Sequence, residues 1–224
     1  RLYDRDDGYR EVRVLRERMM QLDAVKVVAW DFDGVLNRNI EDGVFAWSRD
    51  FQRDLGLSLE SFSSFLFQGR FQRAMVGEAC LVELVTEWAE ANNAAGREAE
   101  ILDYWFTRDA LHDPIVLSMV EKLRLRGVSN VMATNNEIHR TAFIESVMGF
   151  ADHMDRIFAA GRMGVAKPDP AYFRHIEKVL GHQGEEVLLI DDLSENVTAA
   201  RSLGWQTFHF TEGAHDLLAE ALKV

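Results

Sequence analysis

Apolar residues along this chain recur in two rhythms. In the C-terminal half, short continuous apolar runs alternate with stretches whose apolar positions lie three and four apart. The runs Asn130–Ala133, Arg156–Ala159, Val187–Ile190 and Gln206–Phe210 predict strands. The stretches between them predict helices over about Glu137–Met148, Pro170–Leu180 and Glu195–Leu203, with a further helix at the C-terminal end. Val25–Trp30 is an earlier run of the strand kind, buried and ending in Asp31. Asp113-Pro114 reads as a helix start, a capping carboxylate followed by a proline at the first helical position. Val116, Val120 and Leu123 give that helix its buried stripe, and Gly127 ends it. Strands alternating with helices imply crossover units and a mostly parallel sheet of five strands.

From Asn37 to about His112 the rhythm is different, with no strong strand signal. Leu81, Leu84, Val85 and Trp88 form one helical stripe, Ile101, Leu102 and Trp105 another, and Gly56 and Asn92-Asn93 are breaks. This stretch reads as a helical insert, with Phe45, Trp47, Phe51, Phe62, Phe65 and Phe67 as its own core. Cys80, on an apparent helix among apolar residues, is expected in that core as well. Tyr9–Leu22 reads as a charged helix with Val12, Leu15 and Met19 at helical spacing. The expected organisation is an N-terminal helical arm over 1–24, an α/β core over 25–37 and 113–224, and an inserted helical cap over 38–112.

Composition narrows the function. Of 224 residues, 47% are hydrophobic and 28% charged, a globular balance that excludes a disordered or collagen-like chain. Lys and Arg number 25 against 37 Asp and Glu, giving a net charge of −12. Such a surface repels nucleic acid and anionic membranes, so neither is expected as a partner. An anionic substrate would then depend on a local positive site. No apolar run reaches the roughly 18 residues of a membrane helix and no secretory leader is recognisable, so a cytoplasmic location is expected. The single cysteine excludes an intrachain disulfide and a cysteine-rich zinc site.

Polar residues cluster where the expected strands end. Asp31 and Asp33 follow the first, Thr134 and Asn135 the second, Asp191 and Asp192 the fourth. Open parallel sheets bind ligands at the carboxyl ends of their strands, so three strand ends aim these groups at one place. Four carboxylates crowded there as bare anions would raise one another's pKa, and a hard divalent cation resolves the conflict; magnesium prefers such oxygen ligands. Asp31-Phe32-Asp33-Gly34 is not a calcium loop of the EF-hand kind, since its glycine falls fourth rather than sixth. Lys167, stiffened by Pro168 and Pro170, is placed to offset the charge and to contact a phosphoryl oxygen.

Taken together, Asp31-Phe-Asp33-Gly34-Val35-Leu36, Thr134-Asn135, Lys167-Pro168 and Asp191-Asp192, in this order and each beside its strand or helix, resemble the four motifs of the haloacid dehalogenase (HAD) superfamily. The resemblance runs from about Val25 to the C-terminal end. It implies a Rossmann-like doubly wound parallel sheet of strand order 3-2-1-4-5, with a helical cap inserted after the first strand. By the same resemblance Asp31 is the nucleophile that forms an aspartyl phosphate and Asp33 the general acid and then base, its backbone carbonyl ligating magnesium. Thr134 and the Asn135 backbone N–H hold a phosphoryl oxygen, and Lys167 holds nucleophile and phosphate together. Asp192 is implied as the direct carboxylate ligand of Mg2+, Asp191 as a ligand directly or through water, and Asn196 as a residue that orders a metal-bound water. True dehalogenases of the superfamily lack an aspartate at the Asp33 position and need no metal. The implied activity is therefore magnesium-dependent hydrolysis of a small phosphate monoester, such as a sugar phosphate, by a monomer or homodimer. A phosphomutase, a 2-haloacid dehalogenase-like hydrolase and a non-catalytic binding module are the alternatives.

Other features carry less. Arg70 and Arg73 on the insert, and Arg38 after the first motif, are either contacts to an anionic substrate or solvated charges, the second being favoured. No His-x-x-x-His pair occurs, so no zinc site is indicated. The Asn196-Val197-Thr198 sequon is incidental, and Gly161–Gly164 lacks the third glycine of a dinucleotide fingerprint.

Overall fold

The structure is a computed structural model describing residues 23–224, so the expected helix over Tyr9–Leu22 lies outside the described residues. Its strands are β1 (Val27–Trp30), β2 (Ile40–Glu41), β3 (Val44–Phe45), β4 (Ser129–Thr134), β5 (Arg156–Ala159), β6 (Val187–Asp191) and β7 (Gln206–His209). Five of them form one sheet in the order β5-β4-β1-β6-β7, with every neighbour parallel. Numbered along the chain, that order is the expected 3-2-1-4-5.

Helices α1 (Phe51–Leu55), α2 (Leu59–Phe67), α3 (Arg70–Met75), α4 (Leu81–Ala91) and α5 (Glu98–Arg108) lie between β3 and the next sheet strand. The remaining helices are α6 (Pro114–Leu125), α7 (Ile138–Ser146), α8 (Phe150–His153), α9 (Ala160–Met163), α10 (Pro170–Leu180), α11 (Ser194–Ser202) and α12 (His215–Leu222).

The sheet is buried on both faces, which explains why its strands read as continuous apolar runs. Side chains alternate across a strand, and β1 divides accordingly. Val28 and Trp30 pack with Met132, Leu188, Ile190 and the apolar stripe of α6. Val27 and Ala29 turn the other way, to Val131, Leu189 and Tyr172, Phe173 and Ile176 of α10. The helices start where the sequence places their caps. Asp113 Oδ1 accepts from Ile115 N at 2.9 Å and Val116 N at 3.1 Å, and Asp169 Oδ1 accepts from Ala171 N at 2.8 Å.

Helices α1, α2, α4 and α5 enclose an apolar cluster separate from the two that flank the sheet, built on Trp47, Phe51, Phe62, Trp88 and Trp105. Phe62 sits at its centre, 4.9 Å from the Trp88 ring and 5.1 Å from the Phe51 ring between centroids. The chain enters and leaves this helical segment at neighbouring points. Asp113 N donates to Leu36 O at 2.9 Å and Arg38 N to Leu111 O at 2.6 Å.

Three expectations need correction. The stretch after Asn37 is not free of strands: β2 and β3 form an antiparallel hairpin. Asp42 and Gly43 at its turn have φ of 52° and 73°, the left-handed pair of a two-residue hairpin turn. Phe45 lies on that hairpin, 41% exposed, and not in the helical cluster. Cys80 is the residue before α4 with extended backbone (φ −90°, ψ 122°), half-buried beside His139. Helix α4 begins one residue later, so Cys80 never joins its buried stripe.

Phe62→Ala is expected to destabilise the protein by about 3–5 kcal/mol, because a fully buried ring leaves a cavity between stiff aromatic neighbours. Urea unfolding followed by tryptophan fluorescence checks it.

Candidate active site

Strand β1 ends at Trp30, β4 at Thr134 and β6 at Asp191, and these three are adjacent in the sheet. The strand order reverses at β1 and β6, where parallel sheets open a crevice at their carboxyl ends. Asp31, Asp191 and Asp192 meet there, with one carboxylate oxygen from each within 4.8 Å of the others.

Lys167 is held between two of them, its Nζ 2.9 Å from Asp31 Oδ1 and 2.6 Å from Asp191 Oδ2. Burial alone would push its ammonium below the usual lysine range, but the charges of Asp31 and Asp191 carry it above. The Asn135 side chain clamps the Lys167 backbone: Nδ2 donates to Lys167 O at 2.8 Å and Oδ1 accepts from Lys167 N at 2.9 Å. The loop carrying the lysine is thereby tied to the end of β4.

The three carboxylates differ in how their oxygens are used. Asp191 is fully engaged by protein: Oδ2 takes Lys167, and Oδ1 accepts from Leu193 N and Asn196 Nδ2, both at 2.9 Å. Asp31 Oδ1 accepts from Phe32 N at 2.7 Å besides Lys167, and among the described residues none donates to its Oδ2. Among the described residues no side chain donates to Asp192, which lines a cavity of about 590 Å³ bounded by Gly34, Arg38, Phe210 and Glu212. Burial and then the Asp191 charge push the Asp31 carboxyl well above the usual range. The same two causes raise Asp192 to about 6. An all-oxygen set of mutually repelling carboxylates suits a hard divalent cation. Gly34 makes room for Asp192: its φ is +80°, and a Cβ there would lie 2.5 Å from Asp192 Oδ2.

Asp33 stands apart from the cluster. Its Oδ1 accepts from Arg140 Nη2 and Asn39 Nδ2, both at 2.7 Å, and from Asn37 Nδ2 at 3.4 Å. Its Oδ2 accepts from Asn136 Nδ2 at 3.1 Å, and the same amide donates to Thr134 Oγ1 at 2.7 Å. Arg140 Nη1 donates to Asp109 Oδ2 at 2.7 Å. The sequence reading missed Asn37, Asn39, Asp109, Asn136 and Arg140. Only Asn136, beside the Thr134-Asn135 motif, carried a local signal. Arg70 and Arg73 lie elsewhere on the helical segment: Arg70 stacks 4.0 Å over the Phe65 ring, and Arg73 faces Glu78 at 3.9 Å.

The profile of haloacid dehalogenase-like hydrolases matches residues 25–204, and the chain belongs to that family of enzymes. It is 37% identical over 91 residues to the drimenol cyclase drtB of Aspergillus calidoustus, covering 39% of this chain and 16% of that protein. It is 30% identical over 100 residues to the sesquiterpene phosphatase astK of Aspergillus oryzae, covering 45% and 51%. The likeness to the phosphatase MT3486 of Mycobacterium tuberculosis is 27% over 196 residues, 83% of this chain and 87% of that one. The chain thus spans about half or less of the first two relatives and most of the third. Among solved structures, a HAD-like hydrolase of Porphyromonas gingivalis superposes with a TM-score of 0.74 at 18% identity, covering 90% and 99%. The HAD family enzyme bt-2542 of Bacteroides thetaiotaomicron, complexed with magnesium and inorganic phosphate, gives 0.70 at 20% identity, covering 84% and 96%.

The raised carboxyl of Asp192 has a consequence for stability. The native state binds this proton more tightly than the unfolded chain, whose value is near 3.8, so ionising Asp192 costs stability as pH rises from about 4 to about 6. Without divalent cation, Asp192→Asn is expected to melt above wild type at pH 7.5. The gain should shrink below pH 6 and vanish near pH 4. Thermal melts in EDTA across that range check it.

Proposed function

We propose that this hydrolase is a magnesium-dependent phosphatase of a small phosphate monoester, working through an aspartyl phosphate on Asp31. The observation that supports the reading is that two carboxylates, two residues apart, have different partners. Asp31 lies beside Lys167 with one oxygen free, and Asp33 is turned away from it and linked through Asn136 to the Thr134 hydroxyl. A dehalogenase needs the first carboxylate and has no use for the second.

Asp31 Oδ1 is engaged, so Oδ2 attacks phosphorus in line with the leaving oxygen. As the ester P–O bond breaks, Asp33 gives its proton to that oxygen. Asp33 then removes a proton from water, whose oxygen attacks the aspartyl phosphate, releasing inorganic phosphate and restoring Asp31. Thr134 Oγ1 accepts from Asn136 and keeps its own hydrogen for a phosphoryl oxygen. Lys167 offsets charge on the same group and holds the Asp31 carboxylate in place.

Magnesium, when bound, supplies positive charge for the equatorial phosphoryl oxygens. Asp192 is the residue best suited to hold it directly, since among the described residues no side chain donates to its carboxylate. Asp191, already saturated by Lys167, Leu193 and Asn196, supports from behind. Asp31 and the Asp33 backbone carbonyl complete the set. We assign residues 38–112 as the cap over this site, with 25–37 and 113–224 as the core.

Purified protein is expected to release phosphate from 4-nitrophenyl phosphate with magnesium and not with EDTA. Asp31→Asn should abolish release while leaving the circular dichroism spectrum unchanged. Wild-type rate in that variant would end the mechanism. A screen for the physiological ester should set sugar phosphates beside a terpenyl monophosphate, since two relatives are named for terpenoid chemistry. Gly34→Ala would drive a methyl group into Asp192. It is expected to raise the magnesium concentration for half-maximal activity by about 10–100-fold, the usual cost of displacing a ligand's support.

A further inference from the structure

Arg140 and Asp109, beside Asp33, have no part in the chemistry above. Arg140 is only 6% exposed, and it spends one Nη on Asp109, itself 1% exposed, and the other on Asp33, which is 27% exposed. A guanidinium held merely for packing needs only the buried partner. Two hydrogen bonds are given up in this arrangement, since Arg140 Nε and Asp109 Oδ1 are buried without partners. A buried ion pair is in any case a weak source of stability.

We propose that Arg140 and Asp109 are positioning residues for the acid–base step, acting through Asp33; the proposal rests on the reading of Asp33 as proton donor. Arg140 and Asn39 occupy Oδ1 of Asp33 at 2.7 Å each, which fixes the rotation of the carboxylate. Oδ2, with Asn136 as its one donor on the Thr134 side, is then the oxygen that carries the proton. Asp109 also holds Arg140 and accepts from Asn39 Nδ2 at 2.9 Å, so the two nearest donors to Oδ1 are locked to each other. Asn39 belongs to the segment entering the helical region and Asp109 to the segment leaving it, so the aim of Asp33 depends on both.

The test compares kcat/KM for two esters that the enzyme turns over, an alkyl phosphate and 4-nitrophenyl phosphate. The first needs a proton on its leaving oxygen and the second does not. Asp33→Asn is the reference: a loss confined to the alkyl ester establishes the proton donor. Arg140→Lys should copy that pattern, losing about 100-fold on the alkyl ester and under about tenfold on the aryl ester, within the range that general acid catalysis supplies. Asp109→Asn should show the same selectivity, and it decides the matter if Arg140→Lys does not fold. Equal losses on both esters, or none, in a folded Arg140 or Asp109 variant would overturn the proposal while Asp33→Asn stays selective. Should Asp33→Asn itself lose both esters equally, the proton-donor reading falls, and the positioning role with it.

Discussion

Lys167 sits between Asp31 and Asp191, and the rest of the site is arranged around that pairing. Two adjacent parallel strands, β1 and β6, bring three carboxylates together at the carboxyl end of the sheet, and their mutual repulsion would open that end if nothing opposed it. A single buried ammonium opposes it in part. Asn135 grips its backbone on both sides, so the lysine cannot retreat from the charges it neutralises. Three carboxylates against one ammonium leave an excess of 3 − 1 = 2 negative charges. That excess matches the charge of one divalent cation, and Asp192 holds the part of it that faces solvent.

The same economy separates the two aspartates of the first motif. They are two residues apart, yet one joins the anionic cluster and the other a guanidinium. The tight turn at Gly34 allows it, with its positive φ and its missing Cβ against Asp192. Asp31 is thereby kept near Lys167 and Asp33 near Arg140, each carboxylate beside its own cation. The nucleophile and proton carrier proposed above need different surroundings, and the two carboxylates have them within one loop.

Much of this was legible in the sequence because it is local. Asp31, Thr134 and Asp191 are each the residue at or just past the end of an apolar strand, so strand and site could be read together. The Asp113-Pro114 cap of α6 announced its helix for the same reason. Arg140 was not legible: a lone arginine inside a helical stretch looks like a solvated charge. Its burial depends on Asp33 and Asp109, which are far away along the chain. Asn39 and Asp109 were hidden likewise, each meaningful only once the ends of the helical segment come together. The hairpin at Ile40–Phe45 is a different case. Its Asp42-Gly43 turn was not read from the sequence, and two-residue strands are too short to show alternation.

The backbone hydrogen bonds joining Leu36 to Asp113 and Arg38 to Leu111 close the helical segment into a loop, which also meets the core where Cys80 lies beside His139 and Phe106 beside Phe143. Loop-closure entropy grows only slowly with length, so such a loop can be long or short at little thermodynamic cost to the sheet. Excising it and bridging Leu36 to Asp113 with a brief turn would also strip those contacts from the core. Asn39 and Asp109 would go with the excised piece, and Arg140 would face Asp33 without a counterweight. On the proposed mechanism the segment is therefore part of the proton carrier's surroundings, and a replacement would have to restore those two side chains.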